Sequence, residues 1–419
     1  MKKVSLIAAA VASTLAAGSA FAAPTDTVTD GWEVHGYMSS NVRVVDGTTT
    51  DTEFGRPDYK TAGTHGKSTN QVEFSIKKHS EYENGVWADY VLRSEFGNGN
   101  SSAYSSDGDQ SVNDTDGFAL KEAFVELGGI LGEDTSIWGG QRYLNRAAGI
   151  LSGEFWKQSS GIGAGIQTKL DGKTAGIAYV MADPTAGDDN ADRTTLSSID
   201  LYYYGVDAGI GSLDFDFKYG KQVKDGENDD GIGASVTLNT SYYGLDGWTQ
   251  NAVAYGSGVM QNRGVNFGNW SGGDDKAESL FLTSYGVLNI SDKIQLGTEI
   301  TYFTALDQLF TAEGLTRYMV AARPSYKLND NVRLEATASY GHEEGDEGYW
   351  GRTGDALESN IINLEIATAF TANSDYFGRP QVKPYISYIK ADDEASASII
   401  GIENGDDQFV FGVHTEIWF

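Results

Sequence analysis

Three observations predict an all-β chain that crosses a membrane as a closed antiparallel barrel: an export leader, apolar residues at every second position, and connectors that are short and long in turn. The 419 residues carry 30 Lys+Arg against 59 Asp+Glu, a net charge of −29. Such a chain is a poor partner for nucleic acid, whose phosphates need clustered cations. It has equally little attraction for an anionic leaflet. The absence of cysteine excludes a disulfide framework, thiolate-bound zinc and a thiol nucleophile. Aromatics at 12% are too plentiful for disorder, and 40% hydrophobic residues are too few for a bundle of apolar helices. The 52 Gly against 6 Pro suit strands joined by polar loops.

The leader comes first. Lys2 and Lys3 form a positive start, Val4 to Leu15 a short apolar run, and Ala20-Phe21-Ala22 a small-x-small cleavage site. A membrane anchor in its place would need a longer run. Residues 1–22 are therefore expected to be removed during Gram-negative export, leaving 23–419 as one domain in the outer membrane. Past Ala22 no stretch approaches the roughly 18 apolar residues of a spanning helix.

The strands follow. Val72, Phe74 and Ile76 alternate with Gln71, Glu73, Ser75 and Lys77. Leu213, Phe215, Phe217 and Tyr219 alternate with Asp214, Asp216 and Lys218, and the chain closes with Phe411, Val413, Thr415, Ile417 and Phe419 alternating with Gly412, His414, Glu416 and Trp418. Each pattern gives one apolar and one polar face. Similar segments recur near 86–96, 164–180, 198–208, 233–243, 278–289, 295–303, 317–326, 332–340, 361–370 and 381–390. Short connectors carry turn residues: Leu170-Asp171-Gly172-Lys173, Leu245-Asp246-Gly247, Ile290-Ser291-Asp292-Lys293 and Leu328-Asn329-Asp330-Asn331. Long polar ones cover 46–70, 98–117, 183–195, 221–232, 256–277, 342–359 and 391–408. A soluble sandwich gives no reason for the two kinds to take turns; a barrel with tight inner turns and long external loops does. The length accommodates roughly 16 to 18 strands, enough for an aqueous lumen.

Motifs for chemistry are weak. Gly161-Ile162-Gly163-Ala164-Gly165 lacks the Lys-Ser/Thr of a phosphate loop and reads as close packing. The acidic stretches with Asp107, Asp109, Asp114 and Asp116, and from Asp225 to Asp230, miss calcium-loop spacing and read as solvated loops. His35, His65, His79, His342 and His414 show no zinc-protease spacing, and no nucleophile elbow is present. No enzyme activity, metal or cofactor is expected.

Aromatics on polar strand faces are the informative feature. Trp418 shares parity with His414 and Glu416, Tyr37 with Glu33, His35 and Ser39, and Phe377 with Arg379, Gln381 and Lys383. Each is either an interfacial girdle residue or a lumenal platform. A lumenal ring stacks on the apolar face of a sugar while neighbouring charges bond its hydroxyls. Arg142, Arg146, Glu73 and Lys121 are candidate polar partners, or charges that set ion selectivity.

Several islands resemble the maltoporin family of sugar-specific outer-membrane channels. They are Val34-His35-Gly36-Tyr37, the stretch Ser136 to Tyr143 with Arg146 and Gly161 to Gly165, Gly247-Trp248 with Tyr255, Arg379-Pro380, and Phe411 to Phe419. The resemblance implies 18 strands, a homotrimer, a third loop folded inward and passive diffusion of oligosaccharides. It places an aromatic slide on Tyr37, Phe155, Trp248, Phe377 and Trp418, and an ionic track on Glu73, Lys121 and Arg146. The narrowing would then lie near Phe155 and Trp156. The sequence departs from the family pattern where Gln71 replaces a slide tyrosine and Ser39 an arginine. A third-loop acid falls on Gly153, beside Glu154, and a tryptophan contributed by a neighbouring subunit has no counterpart near Asn113, with Tyr104 as the nearest aromatic.

The sequence therefore leads to a sugar-selective, passive outer-membrane channel for maltose- or maltodextrin-type oligosaccharides. Its expected partners are oligosaccharides, membrane lipid and two further copies of itself, with no nucleic acid. The alternatives are a general diffusion porin, a barrel enzyme using a Ser–His pair, and an adhesin acting through its acidic loops.

Overall fold

The computed structural model describes residues 31–55, 61–67, 70–98, 119–185, 193–224, 227–273, 275–346 and 357–419. The expected leader, the acidic loop at 107–116, Tyr104 and Asn113 lie outside these residues. Eighteen long strands form the wall. They are β1 Gly31–Val45, β2 Asn70–Glu81, β3 Trp87–Asn98, β4 Ala119–Gly128, β5 Ser136–Ala148, β6 Phe155–Leu170, β7 Lys173–Ala182, β8 Thr194–Asp207 and β9 Gly211–Lys224. The second half is β10 Glu227–Tyr242, β11 Leu245–Ser257, β12 Glu278–Ser291, β13 Ile294–Ala305, β14 Thr316–Asn329, β15 Val332–Gly345, β16 Leu357–Thr371, β17 Gln381–Ala391 and β18 Asp407–Trp418. Each pairs antiparallel with the next, and β18 returns to β1 with Trp418 opposite Tyr37. Gly36 and Phe419 exchange backbone hydrogen bonds of 2.9 and 3.0 Å at this seam. A Cβ at Gly36 would overlap the Phe419 ring at 2.2 Å, so the closure requires glycine.

The period of two decides which side faces in. On β9, Phe215, Phe217 and Tyr219 are exposed outward while Asp214, Asp216 and Lys218 are buried inside. On β18, Phe409, Phe411 and Val413 point out, and His414 and Glu416 point in. The outer face is thus an apolar belt and the inner face polar, the inverse of a soluble sandwich. Among the described residues no helix is long and apolar enough to cross a membrane. One short helix, Glu394–Ile399, is capped by Asp393, whose carboxylate accepts from the Ser396 N–H.

Several boundaries differ from the sequence reading. The connector expected at 221–232 is strand on both sides, paired as far as Lys224 and Glu227, so Asp229 and Asp230 belong to β10. Leu245-Asp246-Gly247 opens β11; the turn is Tyr243-Gly244, both at positive φ, as a tight hairpin requires. The segment 164–180 is parts of two strands joined at Asp171-Gly172. Strands β4 and β5 escaped notice because a bulge opposite Arg93 and Ser94 breaks parity in β4 and Gly139-Gly140 interrupts it in β5. Gly161 and Gly163 are close-packing positions as expected: a Cβ at either would meet a β7 carbonyl at 2.1 or 2.0 Å.

Three long-end connectors fold inward. Pairing of β4 with β5 stops at Ala123 and Gln141, whereas β5 and β6 stay paired up to Ala148 and Phe155. The hairpin 142–161 therefore leaves the wall and projects into the lumen. This is the third long-end connection, folded inward as the sequence resemblance implied. From the first connection, Ala62 N–H donates to Ser339 Oγ at 3.0 Å, and Thr64 donates to Glu365 through its N–H and hydroxyl, both at 2.6 Å. From the sixth, Asn266–Phe267 runs parallel to Gln158 and Ser159 of the hairpin.

Candidate functional site: a lumenal solute pathway

The hairpin is fastened to the wall and to the sixth connection by buried polar side chains. Glu299 of β13 accepts from Leu151 N–H at 2.6 Å, Ser152 N–H at 3.2 Å and the Ser152 hydroxyl. Lys157 meets Asp216 at 2.6 Å, and Glu154 pairs with Arg263. Trp156 is 1% exposed, donates to the Tyr285 hydroxyl at 3.3 Å and stacks on Phe281. It is an anchor rather than a lining residue, contrary to its expected place in the narrowing.

Phe155 is half-buried on the hairpin, with the Arg146 guanidinium 4.1 Å from its ring centroid and 4.4 Å from that of Tyr143. Below it lies a charged cluster on β2 to β5. Arg93 Nε donates to Glu73 at 3.0 Å and its Nη1 to Glu122 at 3.2 Å. Gln71 donates to Glu73 at 2.7 Å, and Lys121 lies 4.0 Å from Glu95. Glu73, Lys121 and Arg146 thus gather on one side of the hairpin. Arg142 does not join them: it pairs with Glu126 at 3.2 Å over the rings of Phe124 and Trp138. Arg142 is the first residue past the last wall pairing, and its side chain reaches back onto the wall residues Glu126 and Trp138.

The other aromatics cluster toward the short-turn end. Trp248 and Phe377 have ring centroids 6.3 Å apart, and Tyr285 lies edge-on to Trp248 at the same distance. Tyr37 and Trp418 face each other across the seam. Glu416 accepts from the Tyr37 hydroxyl at 3.1 Å and from Arg379 Nε at 2.5 Å, and that guanidinium sits 4.4 Å over the Trp418 ring. Phe377 is not on a strand face, as its parity suggested. It belongs to the turn 372–380 between β16 and β17, which bends into the mouth. Tyr376 N–H donates to Gln295 at 2.9 Å and Arg333 donates to the Asp375 carbonyl at 2.9 Å, holding that turn in place.

Where the sequence departs from the family pattern, the polar replacements are engaged: Ser39 bonds His414 at 3.2 Å, and Gln71 joins the Glu73 cluster. Arg93 and Glu95 were missed as site residues although they share inward parity with Asp89. Tyr285 lay equally within reach of the alternation. Tyr376 gave no periodic signal, because a turn has none.

The LamB porin family model matches residues 32–419. The chain belongs to the LamB porin family. Its relatives include a maltoporin of Hahella chejuensis, 28% identical over 330 residues, covering 75% of this chain and 76% of that one. A maltoporin of Vibrio cholerae is 25% identical over 449 residues and covers both chains in full. Among solved structures, Acinetobacter baumannii OccAB4 covers 94% of this chain and all of its own at 12% identity, with a TM-score of 0.47. Family membership makes this LamB porin an outer-membrane channel and not an enzyme, which sets the barrel-hydrolase reading aside.

Proposed function

We propose that this porin admits oligosaccharides of the maltose and maltodextrin type by passive, facilitated diffusion along its lumenal aromatics. The observation that carries this reading is the set of rings along the lumen, two of them paired with fixed charges: Phe155 under Arg146, Trp418 under Arg379, and Trp248 beside Phe377. A pyranose offers an apolar face to each ring and hydroxyls to each charge. Glu73, Lys121 and Arg146 exchange hydrogen bonds with the hydroxyls as the solute passes the hairpin, and Tyr37 and Trp418 receive it at the turn-side mouth. Arg142 takes a supporting place, paired with Glu126 of the wall. Binding stays shallow at each station, so the solute leaves as readily as it enters. Export through a leader at 1–22 and assembly as a homotrimer complete the reading.

Single-channel conductance in a planar bilayer, titrated with malto-oligosaccharides, tests it. Sugar should block the current in a saturable way, and Trp418→Ala should weaken that block about tenfold, the loss of one to two kcal/mol of stacking. A channel that stays open to every oligosaccharide would establish a general diffusion porin instead.

A further inference from the structure

The lumenal wall near Phe377 holds buried donors that the aromatic path does not use. Gly297 of β13 stands opposite Arg323 of β14, and Gln295 opposite Ser325. Tyr376 lies along this stretch. Its N–H is on Gln295, and its hydroxyl stands 1.9 Å from where a Cβ on Gly297 would be. Arg323, Ser325 and Tyr376 are thereby brought side by side, at 9%, 2% and 6% exposure. Arg323 Nε donates to Thr337 at 2.8 Å, but Arg323 Nη2, Ser325 Oγ and Tyr376 Oη have no protein partner. The nearby carboxylates are engaged elsewhere: Glu335 with Arg333 at 2.6 Å and Lys383 at 3.2 Å, Glu416 with Arg379, and Glu365 with Thr64 and Ser387. Burial pushes the Tyr376 phenol up to about 12, so it keeps its proton and donates.

A buried guanidinium nitrogen left without an acceptor, as Arg323 Nη2 is, is costly, and the fork it belongs to matches a carboxylate or phosphate. All three unpartnered groups can donate, which suits an anion and not a cation. The Tyr376 ring is 4.9 Å from that of Phe377, which in turn packs toward Trp248. We propose that Arg323, Ser325 and Tyr376 form a subsite for an oxyanion on the passing saccharide, a uronate carboxylate or a phosphate ester. This inference rests on the saccharide reading above: a sugar stacked at Trp248 and Phe377 presents its substituent to Arg323.

The test compares current block by maltotriose, by maltotriose oxidised to a uronate at C6, by maltotriose phosphate and by inorganic phosphate. One or both charged sugars should block more tightly than the neutral one by about tenfold. Arg323→Gln should bring that ratio near one, and Tyr376→Phe, which keeps the ring, should lower it part-way. Each ratio is read within one variant, so a lower yield of folded channel does not disturb it. Which charged sugar gains more identifies the carboxylate or the phosphate ester. Equal block by neutral and charged sugars in the native channel, or an unchanged ratio in Arg323→Gln, overturns the subsite and leaves the saccharide channel standing. Block by no sugar overturns both, and inorganic phosphate as effective as the ester leaves a plain anion site.

Discussion

Two segments enter the lumen from opposite ends, and they are held there by different means. The hairpin 142–161 comes from the long-loop end and is fastened by buried side chains: Glu299 on its tip, Asp216 on Lys157, and Arg263 on Glu154. The turn 372–380 comes from the short-turn end and is held mainly through its backbone, with Tyr376 N–H on Gln295, Ser374 N–H on the Asp330 carbonyl, and the Asp375 carbonyl on Arg333. A long excursion away from the neighbouring strands keeps only its own two-stranded ladder and must find further partners inside the lumen. A nine-residue turn stays within reach of the strands it joins. The hairpin should therefore be vulnerable to single side-chain changes, and the turn should not.

The largest expected effect follows from removing Glu299. Glu299→Ala leaves Leu151 N–H, Ser152 N–H and the Ser152 hydroxyl without their buried acceptor, a loss of about 3 kcal/mol. The tip of the hairpin should detach. Open-channel conductance should rise with added current noise, and the thermal unfolding midpoint of the detergent-extracted channel should fall. A quiet channel of native conductance would show that the remaining anchors, Lys157 on Asp216, Glu154 on Arg263 and Trp156 on Phe281, hold the hairpin without Glu299, which would break the contrast drawn above.

The same contrast explains how much of the molecule was legible in its sequence. Where the chain stays in the wall, every second residue faces in, and Tyr37, Glu73 and Trp418 could be assigned from parity. Where it leaves the wall, parity says nothing. Phe155 was reached only through the family resemblance. Phe377 was reached by reading a strand face that is a turn, and it lines the lumen because the turn bends inward. Arg142 was grouped with Arg146 because spacing cannot tell that its side chain turns back to Glu126. The bulge at Arg93 and Ser94 had the same effect on a smaller scale, hiding β4 by shifting its alternation. The composition foretold a polar interior and an apolar outside, but which long connection folds inward depends on tertiary partners such as Glu299 and Asp216, far away in the chain.

A second, smaller effect sharpens the comparison by asking whether both inward segments serve one solute. Phe155→Ala and Phe377→Ala should each weaken malto-oligosaccharide block by about 1 kcal/mol, five- to tenfold. No contact joins these rings: Phe155 is under Arg146, and Phe377 packs with Trp248 and Tyr376. The double variant should then show the sum of the two losses, as independent sites do. A double variant no worse than the weaker single one would mean that a sugar uses one station at a time and that the two segments do not form one path.

The smallest effect concerns charge at the turn. The hydrogen bond from Lys327, with its attraction, holds the Asp375 carboxyl below the usual carboxylate range. A lowered value in the folded channel means that the ionised form is favoured by folding. Its contribution is present above the ordinary carboxylate value of about 4 and is lost as the pH falls through the lowered one. Asp375 is 59% exposed, so water screens the pair, and Lys327→Ala should change stability by no more than about 0.5 kcal/mol. Sugar block in the native channel and in Asp375→Asn should accordingly differ little from pH 8 to pH 5 and coincide below about pH 4, where the protonated Asp375 is as neutral as asparagine. Divergence near neutral pH would mean that the turn depends on its side-chain charge after all. A backbone-held turn is indifferent to that charge, because Gln295, Asp330 and Arg333 grip groups that do not titrate: the Tyr376 and Ser374 amides and the Asp375 carbonyl.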